Sequence, residues 1–195
     1  AFGGMWVFPG GRVDDTDAVG GADGRSDELA TAAAAAAREA SEEAGVVVDP
    51  SALVWFSHWV PPPITPRRYS TFFFAVQLDD SASPVTVDDG EITAYEWMRP
   101  IDALVRRDNG EIELAPPTWM TLNQLRGFSD ANIALSALND LKPTFYETRL
   151  VWTDNGPVAM WEGDAGYKDI DPSQAGPRHR LTMAADRYSF QDDRT

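Results

Sequence analysis

Cysteine is absent from this chain of 195 residues, and histidine occurs only twice, as His58 and His179. The absence of cysteine excludes a disulfide framework, a thiolate nucleophile and a cysteine-ligated zinc site. With so few histidines, carboxylates are the expected ligands of any metal ion. The longest largely apolar run, from Leu29 through Ala37 and interrupted only by Thr31, is far shorter than the ~20 residues that span a membrane. We therefore expect no membrane association and a cytoplasmic location.

Basic residues are few, with 16 Lys and Arg against 31 Asp and Glu, which gives a formal net charge of −15. A charge of that sign and size repels nucleic acids and anionic membranes at long range, so neither is an expected partner. A substrate that carries phosphate would need a local group of arginines or a metal ion to overcome the same repulsion.

Apolar residues make up 43% of the chain and aromatic residues 11%, enough for one folded domain with its own core. Hydrophobic patterning and the positions of proline and glycine predict an α/β (α+β) fold. We expect a main domain over residues 1–144 and a C-terminal extension, residues 145–195, that packs on it. Helices are predicted over 28–44, 101–107, 117–128 and 130–141, and strands over 5–8, 46–48, 53–60, 69–78, 91–98, in a hairpin that turns at 154–156, and near 181.

The end of the first predicted helix carries an unusual group of carboxylates. Glu39, Glu42 and Glu43 are spaced three and four residues apart, so they share one helix face. Arg38 can neutralise part of this charge, but a divalent ion such as Mg²⁺ would neutralise more, because it prefers oxygen ligands. The simpler alternative is a solvated, glutamate-rich helix face.

The context of these carboxylates resembles the signature of the Nudix hydrolase superfamily, G-x5-E-x7-R-E-U-x-E-E-x-G-U, in which U is apolar. A Phe-Pro-Gly-Gly turn, residues 8–11, precedes the helix, and the second half of the signature matches at every fixed position. The resemblance implies the Nudix fold, a mixed β-sheet sandwiched between helices. The matching residues are Arg38, Glu39, Glu42, Glu43 and Gly45, with Ala40 and Val46 at the apolar places.

The first half of the signature departs from the family pattern in two ways. The segment between Gly11 and Arg38 has 26 residues where the pattern has 13, so an Asp- and Gly-rich loop is inserted. The place eight before Arg38 is Ala30 where the pattern has Glu, and Glu28 or Asp27 is the candidate replacement. The acids of the inserted loop do not follow EF-hand spacing, so we expect a solvated loop and no calcium site.

The resemblance implies that the protein hydrolyses a diphosphate linkage with Mg²⁺ or Mn²⁺ as cofactor. By the same resemblance, Glu42, Glu43 and the main-chain carbonyl of Gly10 would be metal ligands. Glu39 would be a further ligand or the base that activates water, and Arg38 would hold the carboxylates in place.

A further acid from a later loop is also implied by the family pattern. The Glu96-Trp97 pair resembles the strand that follows that loop, which makes Glu91 the candidate. The alternative is that Glu91 is an ordinary exposed acid.

Other segments resemble the Nudix 19 group, whose signature also carries an insertion and whose best-known members act on coenzyme A and its esters. Arg67 and Arg68, followed by Tyr69, are the candidate substrate-binding residues. Paired arginines suit phosphate recognition, and a tyrosine ring can stack on a base. The alternative for both arginines is an ion pair with neighbouring aspartates. The resembling segments are 59–73, 114–118, 163–167 and 177–181.

Two other functions remain open at the level of sequence. A Nudix hydrolase of ADP-ribose, dinucleoside polyphosphates or nucleotide sugars would share the same carboxylates, and a Nudix fold that lost its chemistry would be a binding module. Only about eight residues precede the Phe-Pro-Gly-Gly turn, so we expect upstream strands to be missing. A sheet edge exposed in this way would favour a homodimer.

Overall fold

The computed structural model describes residues 4–21, 27–64, 69–78 and 94–194. Within these ranges the protein is a mixture of helices and strands, as the sequence predicts. None of the helices in the described ranges has the length and apolar character that crossing a bilayer requires. The helices are α1 (Glu28–Ala44), α2 (Pro100–Asp108), α3 (Pro116–Leu125) and α4 (Ala131–Asp140); the strands are β1 (Val54–Val60), β2 (Thr71–Ala75), β3 (Thr144–Glu147), β4 (Arg149–Thr153), β5 (Gly156–Met160), β6 (His179–Met183) and β7 (Tyr188–Asp192).

The strands form two sheets. The first has the order β2-β1-β3, in which β1 pairs antiparallel with β2 and parallel with β3. The second is an antiparallel sheet of order β4-β5-β6-β7. Helix α1 contacts β2, and α4 contacts β1. The first sheet is therefore the mixed β-sheet that the sequence predicts.

One hydrophobic core joins side chains from both sheets and from α2 and α3. The ring of Trp59 on β1 stacks on Tyr146 of β3, with their centroids 4.1 Å apart. Trp161, which follows β5, is fully buried against both rings. The other buried members include Leu104, Leu114, Trp119, Met120, Leu122, Ala159 and Leu181.

Helix α1 has the bounds that the sequence predicts. The side chain of Asp27 caps its start by accepting a hydrogen bond from the Ala30 amide at 3.0 Å. Gly45 ends it in the left-handed conformation, at φ +64°, where glycine is favoured. Its alanine face is buried, with Ala32, Ala33, Ala35 and Ala37 among the buried residues. The carboxylates of Glu39, Glu42 and Glu43 follow this alanine stretch, at the C-terminal end of the helix.

Most other predicted elements are present, and the exceptions have physical reasons. The segment 46–48 is not a strand, since the Val46 amide is used by the helix cap, where it donates to the Ala40 carbonyl at 3.1 Å. Residues 5–8 form only an isolated bridge from Trp6 to Leu114. Residues 94–98 form no strand, and 91–93 lie outside the described residues.

The two C-terminal segments that resemble the Nudix 19 group meet through one buried ion pair. Asp164 accepts hydrogen bonds from Nε and Nη2 of Arg180, at 2.7 and 2.5 Å. It also accepts from the amides of Gly166 and His179, at 2.8 and 2.9 Å. This carboxylate therefore fixes the loop after β5 against the start of β6.

Candidate active site

The Phe-Pro-Gly-Gly turn, residues 8–11 and called the glycine turn below, lies directly against the carboxylates of α1. The amide of Gly10 donates a hydrogen bond to Oε2 of Glu43, at 2.8 Å. A β-carbon placed on Gly11 would collide with the carboxylate of Glu39. The fold thus brings the turn and the end of the helix together, although they are more than 25 residues apart in the chain. Only a residue without a side chain fits at position 11 while Glu39 stays in place.

Arg38 is the centre of the carboxylate cluster, which consists of Asp17, Glu39 and Glu42 around its guanidinium and Glu43 beside them. Its Nη1 donates to Oε1 of Glu39 and to Oε2 of Glu42, both at 2.9 Å. Its Nε and Nη2 donate to the two carboxylate oxygens of Asp17, at 3.0 and 2.9 Å, and Nη2 also donates to the Arg12 carbonyl at 2.8 Å. All five N–H groups of a guanidinium are used in this way. The pKa of Arg38 is raised, chiefly by the hydrogen bonds to Asp17, so the residue stays charged.

Asp17 is the site residue that the sequence reasoning missed. The prediction of a solvated loop is wrong at this position, because Asp17 is only 6% exposed. It ends a short 3₁₀ turn, Asp15–Asp17, and accepts from the Asp14 amide at 2.8 Å. The hydrogen bonds from Arg38 hold the pKa of Asp17 below its usual value, which keeps the carboxylate ionised.

The family pattern contains the signal that would have found Asp17. Six positions forward from Gly11, where G-x5-E places its acid, the residue is Asp17. The insertion therefore follows this acid, and counting back from Arg38 reached Ala30 instead. Of the two replacements considered, Asp27 caps α1, and Glu28 is exposed on its first turn.

The candidate substrate-binding residues are placed only in part. The Tyr69 hydroxyl accepts a hydrogen bond from Nη2 of Arg12, at 2.7 Å, and the Arg12 guanidinium carbon lies 5.0 Å from the centre of the Tyr69 ring. Tyr69 is consequently connected to the glycine turn. Arg67, Arg68 and Glu91 lie outside the described residues.

The chemistry of the cluster fits a hard divalent cation. One cationic nitrogen of Arg38 already lies between Glu39 and Glu42, so this position favours positive charge. In the part of the chain that the structure describes, no three acidic or histidine side chains converge closely enough to hold an ion as they stand. A bound ion would therefore require these carboxylates to change their contacts with Arg38 and Gly10.

Comparison with known proteins agrees with this geometry. A family model described as "NUDIX domain" matches residues 1–118. A chicken (Gallus gallus) protein named "Acyl-coenzyme A diphosphatase NUDT19" is 31% identical over 150 residues, which are 73% of this chain and 39% of that protein. The Caenorhabditis elegans protein "Putative nudix hydrolase 7" is 27% identical over 94% of this chain and 70% of its own length.

The fold is also similar to a solved structure. The crystal structure of a NUDIX hydrolase from Alicyclobacillus acidocaldarius superimposes with a TM-score of 0.59 at 23% identity, over 68% of this chain and 81% of that one. This likeness supports the fold, and the family model covers more than half of the chain. With the glycine turn packed on the carboxylates that follow Arg38, the chain belongs to the Nudix domain family.

Proposed function

We propose that this protein is a metal-dependent Nudix diphosphatase that cleaves the diphosphate linkage of a nucleoside diphosphate derivative. The observation that carries the proposal is the Arg38 network, which links Glu39, Glu42 and Asp17 beside the glycine turn of a Nudix domain. Coenzyme A or its acyl esters are the proposed substrates. The name of the chicken relative supports this choice, as do the segments shared with the Nudix 19 group.

Each carboxylate has a defined part in the proposed reaction. Glu42 and Glu43, with the main-chain carbonyl of Gly10, would hold Mg²⁺ or Mn²⁺. Such an ion neutralises charge on phosphoryl oxygens and lowers the pKa of a bound water. Glu39 would be a further ligand or the base that takes a proton from the attacking water. Asp17 would keep Arg38 in place if the glutamates bound a metal ion, because it accepts hydrogen bonds from two of the Arg38 N–H groups.

Three residues outside the carboxylate cluster, Arg67, Arg68 and Glu91, are also part of the proposal. Glu91 would supply a further acid. Arg67 and Arg68 would bind phosphate, including the 3′-phosphate that distinguishes coenzyme A from related diphosphates. These roles rest on the sequence alone.

A substrate panel tests the proposed function. Coenzyme A, dephospho-coenzyme A, ADP-ribose and diadenosine polyphosphates are each incubated with Mg²⁺, Mn²⁺ or a chelator, and the products are separated chromatographically. We expect coenzyme A to be cleaved into phosphopantetheine and a 3′,5′-bisphosphate only when metal is present. Preference for another diphosphate would replace the coenzyme A assignment, and no metal-dependent cleavage at all would indicate a binding module.

Gly11→Ala tests the contact between the turn and the helix. The new β-carbon would displace the Glu39 carboxylate, and a shift of about 1 Å in a catalytic group can cost roughly a hundredfold in rate. We expect turnover of the preferred substrate to fall by about this factor with little change in melting temperature. Gly20→Ala is the matched control, because nothing lies within 4 Å of a β-carbon there. Equal turnover of the two variants would show that the contact between Gly11 and the Glu39 carboxylate does not affect turnover.

A further inference from the structure

Arg12 lies in an acidic loop, but among the residues that the structure describes it forms no ion pair with an acid. The next five residues include Asp14, Asp15 and Asp17. Asp14 and Asp17 direct their carboxylates to Arg38. Within the described ranges, no carboxylate lies at ion-pair distance from the Arg12 guanidinium, whose contacts are with the hydroxyl and ring of Tyr69. Because the Arg12 guanidinium contacts a neutral phenol and not one of these acids, its positive charge is available to another anion.

The backbone of Arg12 is fixed at the carboxylate cluster. Its carbonyl accepts a hydrogen bond from Nη2 of Arg38 at 2.8 Å. The preceding residue, Gly11, contacts the carboxylate of Glu39. The Arg12 side chain therefore starts from the loop that adjoins the proposed metal ligands, one position after the glycine that contacts Glu39.

Tyr69 sets the direction of the Arg12 side chain. The hydrogen bond of 2.7 Å and the ring beneath the guanidinium together hold the group in one orientation. Only one of the five N–H donors is used by the hydroxyl, and the group is exposed. The remaining donors match the oxygens of a phosphate, which a guanidinium can bind with two parallel hydrogen bonds.

We infer that Arg12 binds a phosphate group of the diphosphate substrate and that Tyr69 is a positioning residue for its guanidinium. The inference rests on the proposed function and deepens it. In a chain of net charge −15, the Arg12 cation beside the carboxylates offsets the repulsion of an anionic substrate. In this proposal Tyr69 acts through Arg12, whose guanidinium carbon lies 5.0 Å from the centre of the tyrosine ring.

The test compares Arg12→Gln, Arg12→Lys and Tyr69→Phe with Arg126→Gln as the matched control. Arg126 is exposed at the end of α3 and has no ion pair in the described part of the chain. The dissociation constant of ADP is measured by calorimetry in chelator, and kcat and KM are measured with Mg²⁺ on the preferred diphosphate.

Arg12→Gln should weaken ADP binding and raise KM by about tenfold or more, since hydrogen bonds to charged groups have large effects. Arg12→Lys should recover part of this loss, because the charge remains without the planar fork. Tyr69→Phe should weaken binding severalfold at unchanged kcat. The double variant Arg12→Gln/Tyr69→Phe should equal Arg12→Gln alone, because Tyr69 acts through Arg12.

The outcomes separate this inference from the proposed function. If Arg12→Gln matches Arg126→Gln in ADP affinity and KM while the unmodified chain hydrolyses a diphosphate, the inference is wrong and the function stands. If Arg12→Gln weakens ADP binding but the unmodified chain cleaves no diphosphate, the function is wrong and the phosphate contact stands. If the unmodified chain binds no ADP and cleaves nothing, both are wrong.

Discussion

Glu42→Gln or Glu43→Gln is expected to lower turnover at least about a hundredfold, because loss of even a group that supports a metal ligand costs up to about that factor. Each substitution keeps the shape of the side chain and removes the charge of one proposed metal ligand. Glu42 has a side chain that is 59% exposed, and its contact with Arg38 is a surface ion pair. Such pairs contribute roughly 0–1 kcal/mol to the free energy of unfolding, so Glu42→Gln should remain folded. The melting temperature checks the same for Glu43→Gln.

The control for this loss is Glu28→Gln, which removes the same charge from the first turn of α1. Along the helix, Glu28 lies about 21 Å from Glu42. A second measurement follows the melting temperature with and without Mn²⁺. The unmodified chain and Glu28→Gln should gain stability from the ion, since a ligand that binds only the folded state stabilises it. If Glu42→Gln or Glu43→Gln keeps near-normal turnover and its melting temperature still rises with Mn²⁺ as in the unmodified chain, the substituted glutamate is not a metal ligand.

Asp164→Ala is expected to reduce the free energy of unfolding by about 3–5 kcal/mol, the usual cost of breaking a buried ion pair. The side chain of Asp164 is fully buried and that of Arg180 is 7% exposed. Without the carboxylate, the Arg180 charge and the amides of Gly166 and His179 lose their acceptor inside the protein. Denaturant unfolding at pH 7 measures the difference. Asp186→Asn, at an exposed position, should change the same free energy by less than about 0.5 kcal/mol.

The same carboxylate predicts a pH dependence. Burial raises the pKa of Asp164, but the hydrogen bonds from Arg180 and from the two amides outweigh burial and hold the pKa below its usual value. Because the folded pKa lies below the unfolded value of about 3.9, the ionised form stabilises the fold above that pH. This stabilisation is lost as the pH falls through the folded pKa. The difference in unfolding free energy between the unmodified chain and Asp164→Asn should therefore narrow below about pH 4. A difference that stays constant from pH 7 to pH 3 would contradict the assignment.

Helix α1 shows what could be predicted from neighbouring residues alone. Its start at Asp27, its alanine-rich middle and its end at Gly45 are local signals, because a cap, a helix propensity and a left-handed glycine each act within a few residues. The carboxylates of the Nudix signature lie within the same helix, so their common face follows from its period. The strands β1 and β2 and the turn at 154–156 were likewise predicted from short segments.

The elements that sequence reasoning missed depend on partners that are distant in the chain. Strand β3 lies more than 80 residues beyond β1, with which it pairs in parallel, and β7 forms because β6 offers it an edge. Conversely, the β-branched segment 46–48 has a high strand propensity, but its first amide is used by the cap of α1. Strand propensity is expressed only where a neighbouring strand accepts the backbone hydrogen bonds.

The sequence by itself determined the family signature, the carboxylates of α1 and the acidic charge that makes a cation necessary beside them. The family spacing counted from Gly11 reaches Asp17, but only the tertiary structure shows that this acid anchors Arg38. It also decided which side chain contacts Arg12 and how Asp164 joins two loops. Asp17 and Arg38 are separated by an insertion whose length the pattern does not specify, and Arg12 and Tyr69 are 57 residues apart. The physical reason is that helices and caps are formed by nearby residues, whereas ion pairs and side-chain orientations are selected by which distant backbones the folded core brings together.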